Sequence, residues 1–546
     1  MIRRLVFMVS ILLLPSALFA QRSWHVDYTL GDNNNAGTLE APLKTLDAAE
    51  DSATTAGDSI LAKCGEVWRE QMTLTNADVY ISSYGTGSAP VIIGSDTALA
   101  WISSGTNLWS AKFTSLPSSV YFELKDGTVV WADSIAVGSP APTANYESIY
   151  DAVTDTLKIY YDGGDPDTVF TSVEVILRNY GITANANVDD ITIKNIEVKG
   201  FKFSGIYATD NSDRWTIQDN TVHHIGRKVG ENGSAIRLYD SDSSQVLKNT
   251  VYEAGRHGIL QESSNASLTY CLIEGNTVWN CYHNNIDIQH STATGTNKNV
   301  IIRYNVSYYT DYGTHHPNGI MILAYNPISN AEIYYNLIYN AYGDGIQLYT
   351  KADTIFVYNN TVLWCANGIE MANGDRLTTI KNNIFASLRQ YGIWLADTSK
   401  HATNKIITNN TVWNVPTLYR LKWTNYTDWE TLISNTIYGD NDVGNYPVFT
   451  DTSSLDPAVL NLSLQSGSPC IDAGNDVGLT TDYLGNPIFN GIPDIGAYEY
   501  QGGVSTSNII VTRSLGSVGY FGRGVRPIDL RAKTVRNVIG LRIIKK

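Results

Sequence analysis

The chain has nine histidines, and seven of them fall between residues 223 and 316. Imidazole changes protonation near neutral pH, so His257, His283 and His316 are candidate proton-transfer residues. Arg237, in the same span, offers a permanent positive charge to a developing anion. Asp287, Asp344 and Glu370 carry the hard oxygens that calcium takes, which makes Ca2+ the one cofactor to expect. Glu262, Gln289, His290, Tyr312, Gln347, Tyr349 and Lys351 would line the surroundings as substrate-binding residues. A polar and aromatic lining of this kind suits a sugar chain, whose ring faces stack on Tyr and Trp and whose hydroxyls bond Asn, Asp and His. The plain alternative is that turn residues such as Lys351 are only solvated.

What brings these residues together is a repeat. An Asn followed by β-branched or apolar residues recurs as Asn195-Ile196, Asn220-Thr221-Val222, Asn249-Thr250-Val251, Asn276-Thr277-Val278, Asn305-Val306, Asn336-Leu337-Ile338, Asn360-Thr361-Val362, Asn383-Ile384-Phe385 and Asn410-Thr411-Val412. A small residue followed by Ile interleaves with it at Gly181, Gly205, Ala235, Gly258, Asn285, Gly319, Gly345, Gly368 and Gly392. Segments of three to five residues with period-two alternation are strands, and nothing between them has the length or period of a crossover helix. Stacked coils of one solenoid remain: an all-β parallel β-helix of about 9 or more coils. The Asn column is expected to form a side-chain ladder, and Gly before Ile to serve a tight turn. With Ile236, Ile286, Ile346 and Ile369 inward, alternation places Arg237, Asp287, Gln347 and Glu370 outward one step on, while His257, Asn284, Asn318, Asp344 and Asn367 face outward two positions before the isoleucines of their coils. The histidines should then form a stripe down one edge, beside long turns that wall a groove.

The chain reads in three parts. Residues 1–20 hold Arg3 and Arg4, then the apolar run Leu5 to Leu14, then Ala17-Leu18-Phe19-Ala20, the layout of a cleavable secretory signal. That predicts a secreted, extracellular or cell-surface protein with no transmembrane segment. Residues 21–502 form the β-helix, with a β-rich excursion over 84–176, regular coils over 177–435 and a closing coil or cap over 436–502. This body carries 27 basic against 52 acidic residues, so nucleic acid is not its partner. Residues 503–546 are a tail with nine basic residues and the single acid Asp529. The five cysteines show no metal spacing; Cys281 and Cys365, three coils apart at about 14 Å, are too far apart for a disulfide.

The segments Gly31-Asp32-Asn33-Asn34-Asn35-Ala36-Gly37-Thr38, Ala41 to Leu46, Gly57 to Leu61 and Gly65 to Glu70 resemble the amino-terminal cap of secreted right-handed parallel β-helix proteins of the pectate-lyase-like superfamily. Gly467-Ser468-Pro469-Cys470-Ile471-Asp472-Ala473-Gly474 and Asp494 to Tyr500 are similar to the last coil of many such chains. The resemblance implies a right-handed, pectin-lyase-like helix and a polysaccharide partner. It favours a monomeric polysaccharide lyase acting by β-elimination on a uronate chain. His257 or His283 would then be the base, Arg237 the charge stabiliser and His316 or a groove tyrosine the acid. Two alternatives stay open. One is a glycoside hydrolase using carboxylates from Glu262, Asp287, Asp344 or Glu370; the other is a non-catalytic glycan-binding surface protein. Neither the Asp-Pro-His tetrad of the mannuronan epimerases nor the Asp-Asp pair of polygalacturonases is present in a coil strand.

Overall fold

The computed structural model describes residues 21–502 apart from 135–139, 227–232, 265–267, 291–297, 311–316, 325–329, 351–353, 373–376, 397–402 and 489–490. The expected signal 1–20, the basic tail 503–546, and Tyr312, His316 and Lys351 lie outside the described residues.

Among the described residues the chain winds into a parallel β-solenoid of about 11 turns, each turn adding one strand to each of three sheets. Sheet 1 has twelve strands, from Ser23–Val26 to Lys405–Thr408. Sheet 2 has eleven, from Val67–Trp68 to Thr411–Trp413. Sheet 3 runs from Met72–Leu74 to Thr417–Leu421 and ends on the antiparallel strand Thr424–Tyr426. Register is set by inward apolar columns. Ile182, Ile206, Ile236, Ile259, Ile286, Ile320, Ile346, Ile369 and Ile393 pair rung to rung in sheet 3, and each is fully buried. A slip of one residue would expose each of these isoleucines, each worth about 1.5–3 kcal/mol of burial.

The Asn ladder runs from Asn220 to Asn410. Each Asn donates through its backbone N–H and its Nδ2 to the Oδ1 of the next, as Asn276 does to Asn305 at 2.9 and 3.0 Å. Its Nδ2 also reaches a carbonyl of the coil before, here Val246 at 2.8 Å. Asn195 is not a member: it sits one position early, in the left-handed region at φ 57°, and Ile196 N–H starts the ladder on Asn220 Oδ1. At the far end Asn410 N–H is taken by Asp442 Oδ1 at 2.8 Å.

The amino end of the core is closed by helix Leu46–Ser52, whose Thr45 accepts from Ala48 N–H as N-cap and whose Leu46 and Ala49 are buried. The other end is covered by helix Trp429–Asn435 through Leu432. The β-rich excursion is present, but Tyr80–Tyr84 and Val91–Ile93 already pair into sheets 1 and 2. Its own strands, in sheets of four and five, begin at Ser95 and end at Ile176. Coil strands of three to five residues split by Gly85 and Gly87 had hidden this boundary. The described part of residues 436–502, expected as a closing coil or cap, packs along the flank of the solenoid. Phe449, Leu462, Leu464, Cys470, Ile495 and Ala497 pack there on Tyr308, Tyr339, Leu363 and Ile384. Outward aromatics on sheet 2 give this segment an apolar surface, and Asn359 and Asn382 donate to its backbone.

Candidate functional site

The outward face of sheet 3 carries two adjacent columns. One passes through Tyr207, Arg237, Leu260, Asp287, Met321, Gln347, Glu370, Trp394 and Arg420. The other, three residues earlier in each coil, includes Asp344, Asn367, Tyr391 and Thr417. Backbone bonds from Gly258 to Asn284, Asn285 to Asn318 and Gly319 to Asp344 carry it back through His257. Polar groups gather on the coils between residues 257 and 370 in two clusters.

The first cluster centres on Asp287, fully buried in the strand Ile286–His290. Its Oδ2 lies 3.1 Å from His257 Nε2 and accepts from Asn284 Nδ2 at 2.7 Å and Gln289 Nε2 at 3.1 Å. Burial alone would raise this carboxyl; the imidazole and the two amides outweigh it and hold the group below its ordinary value. Asp287 Oδ1 and His257 Nδ1 are buried without a hydrogen-bond partner among the described residues. His283 is exposed, and its ring lies 5.7 Å from that of His257.

The second cluster is a pair of acids. Asp344 and Glu370 come from the strands Asp344–Thr350 and Asn367–Ala372, one coil apart, and both are buried. One amide nitrogen, Gln347 Nε2, donates to Asp344 Oδ2 at 2.8 Å and to Glu370 Oε2 at 3.2 Å. Asn367 Nδ2 donates to Asp344 Oδ1 at 2.6 Å, and the Tyr349 hydroxyl donates to Glu370 Oε1. Burial, then the hydrogen bond and charge of Glu370, push Asp344 well above the usual carboxylate range. The pair is thus arranged to hold one proton between two carboxyl groups. Burial and Glu370 likewise raise the Tyr349 phenol, which keeps it a hydrogen donor.

The remaining candidates fall out differently. Arg237 donates to Glu262 Oε2 at 2.7 Å, and its guanidinium lies 5.1 Å from the Tyr207 ring and 5.3 Å from the Tyr239 ring. Its charge is therefore already matched by a carboxylate. His290, expected at the rim, is fully buried at the end of its strand. The histidine stripe is also broken. His223 and His224 belong to the strand Thr221–Ile225 of sheet 2, where His223 stacks on Tyr252 at 4.5 Å and starts a pile continuing through Trp279, Tyr308 and Tyr339. The three expected calcium ligands do not converge. Asp287 and Glu370 stand three rungs apart, about 14 Å, and Asp287 is taken up by His257. No group of three or more His, Cys, Asp or Glu among the described residues could hold a metal ion.

Tyr391, which the sequence places after Asp344 and Asn367 at the same turn, extends the second column, and Trp394 and Arg420, which were not singled out from the sequence, extend the first below Glu370. Alternation after Gly392-Ile393 would have given Trp394. Arg420 was hidden because its coil reads Thr417-Leu418-Tyr419-Arg420, with no small residue before an Ile.

The chain matches the family described as right handed beta helix region over residues 159–316 and 269–438. Among solved structures it is similar to XylC in complex with xylose, at 14% identity over 87% of this chain and 98% of that chain with a TM-score of 0.51. It is also similar to the pectate lyase Pel9A, at 13% identity over 89% of this chain and 98% of that chain with a TM-score of 0.50. At these identities the likeness is one of fold. No curated protein matches the chain.

Proposed function

Because this chain belongs to the right-handed β-helix family, we propose that it is a secreted carbohydrate-active enzyme that hydrolyses a glycosidic bond at Asp344 and Glu370 on the outer face of sheet 3. One observation carries the reading: a carboxyl group whose proton is held well above the usual carboxylate range sits beside a second carboxyl group, the two sharing the Gln347 donor while Tyr349 donates to Glu370 alone. That is the acid and nucleophile requirement of glycoside hydrolysis. Asp344 gives its proton to the glycosidic oxygen as the bond from the anomeric carbon breaks, and a Glu370 oxygen bonds to that carbon. Asp344, now a carboxylate, takes a proton from water, whose oxygen displaces Glu370 and releases the sugar. Gln347 and Tyr349 keep Glu370 aimed throughout. Two oxygens sharing the Gln347 nitrogen at 2.8 and 3.2 Å cannot be more than about 6 Å apart, short of the separation that inverting enzymes keep for water. Retention of anomeric configuration follows.

The sugar partner is supported by the aromatic and amide lining, and by the likeness in fold to XylC, which binds xylose, and to the pectate lyase Pel9A. Secretion rests on Arg3, Arg4 and the apolar run after them. No helix among the described residues is long and apolar enough to cross a membrane.

A second reading has its own observation. His257 keeps a buried, unpartnered Nδ1 while Asp287 fixes its Nε2, the arrangement of an oriented base, which β-elimination on a uronate requires. Against it stands Arg237, whose charge Glu262 already matches. Incubation of the mature protein with pectic, alginate, glycosaminoglycan and neutral polysaccharides separates the two. Reducing ends without ultraviolet absorbance of an unsaturated product support hydrolysis. Both signals together would overturn it in favour of elimination at His257.

A further inference from the structure

Of the two arginines in the outward column, Arg237 is matched by Glu262, whereas Arg420 meets no carboxylate among the described residues. Arg420 lies half-buried across two rings of the preceding coil, 4.4 Å from Trp394 and 4.9 Å from Tyr391. Its Nη1 donates to the Tyr391 hydroxyl at 2.5 Å. Arg420 Nε and Trp394 Nε1 are buried with no acceptor among the described residues. Two N–H donors of one small cluster are thus left unsatisfied, beside a guanidinium held rigid by ring contacts. A planar guanidinium is preorganised for a carboxylate, and the rings remove part of the ordering cost of binding one.

We propose that Arg420, Trp394 and Tyr391 form a subsite for the carboxylate of an acidic sugar residue, two coils below the cleavage point. Trp394 continues the column of Glu370 and Arg420 follows it, which places the Arg420 backbone about 10 Å along the solenoid from Glu370, with its guanidinium turned back over the Trp394 coil. A pyranose in an extended polysaccharide advances by close to the spacing of one coil, so the recognised residue is the second one from the scissile bond. Nothing of opposite charge to a uronate faces Asp344 and Glu370 among the described residues, so the acidic group is read at this distance from the bond and not at the bond itself. The subsite's position relative to cleavage rests on the hydrolase reading; its selectivity for a carboxylate does not.

The test uses the full-length mature protein silenced as Glu370→Gln, followed by intrinsic fluorescence. The probes are oligogalacturonate, oligomannuronate and glucuronate-bearing xylo-oligosaccharide, each beside a neutral oligosaccharide of equal length. At least one acidic probe should bind roughly tenfold or more tightly than its neutral counterpart. Adding Arg420→Gln should abolish that preference, and Arg420→Lys should keep part of it, with circular dichroism and melting temperature unchanged in both. Equal binding of acidic and neutral probes, no binding of any acidic probe, or an unchanged preference in Arg420→Gln would overturn the proposal. Release of reducing ends by the unmutated protein is scored separately, so a failed hydrolase reading leaves the binding result standing.

Discussion

Asp344 and Glu370 share one donor, the Gln347 amide nitrogen, at 2.8 and 3.2 Å, while each keeps a second donor of its own in Asn367 and Tyr349. The arrangement gives the two acids unequal tasks although they lie one coil apart. Asp344→Asn and Glu370→Gln should each lower hydrolysis about a thousandfold or more, and Gln347→Ala by less, because it aims the acids and does not react. The alkaline limb of the rate profile belongs to Asp344. Its raised value means activity persists above the usual carboxylate range and falls as pH rises through it. Proton NMR of the first-formed product should show retained configuration; an inverted product would sink the nucleophile assignment for Glu370.

His257 and Asp287 form the other coupled pair, and here the carboxyl is held low. Asp287 therefore contributes stability above the ordinary carboxylate range, which is lost as pH falls through its folded value. His257→Leu strands a fully buried carboxylate and should cost about 3 kcal/mol or more. The double variant His257→Leu, Asp287→Asn should melt higher than His257→Leu alone. Strictly additive losses in such a cycle would show that the two side chains are not coupled.

Much of this site was legible because strand alternation is a strong constraint: once Ile236 and Ile286 point inward, Arg237 and Asp287 must point outward. Pairing was not legible. Glu262 could be placed beside the column, but its bond to Arg237 spans coils of different length, and Leu260 and Met321 interrupt the acidic and basic positions. The histidine stripe failed for a related reason. His223 and His257 both fall between the Asn and small-residue-Ile signals, but His223 follows Asn220 by three residues and is still in its strand, whereas His257 follows Asn249 by eight and lies past it.

The glycines before Ile were legible in position but not in cause. Their φ is ordinary; what they lack is room. A Cβ at Gly345 would lie 2.3 Å from Val362 Cγ1, and one at Gly368 would lie 2.5 Å from the Gly392 carbonyl oxygen. Two positions are not glycine, Ala235 and Asn285, and the larger of them supports the point. Asn285 fits where its neighbour column has Ser307 in place of a branched residue, and its Nδ2 bonds Ser307 Oγ at 3.0 Å.

The Asn ladder makes a sharper stability claim than the apolar columns. Asn305→Ala removes the acceptor used by both Asn276 N–H groups and the donor that reaches Ile273 O at 2.9 Å and Asn336 Oδ1 at 3.0 Å. Every group left behind is buried, so the loss should be about 2–4 kcal/mol. Asn305→Asp should not rescue it, because a carboxylate restores the acceptor but not the donors. A melting temperature for Asn305→Asp equal to that of the unmutated protein would contradict the ladder's role.

The ladder ends on a titratable group. Asp442 accepts from Asn410 N–H at 2.8 Å and from the Tyr419 hydroxyl, and burial pushes it up to about 7. Its folded value is raised above the unfolded one, so its contribution is complete in acid and is lost as pH rises through about 7. The carboxyl end of the solenoid should accordingly weaken between about pH 4 and pH 7, from the ordinary carboxylate value to the folded one. Asp442→Asn keeps a carbonyl oxygen for Asn410 and removes the ionisation. Its melting temperature should stay level across that interval while that of the unmutated protein falls. Parallel curves for the two proteins would mean that the cap is held by some group other than Asp442.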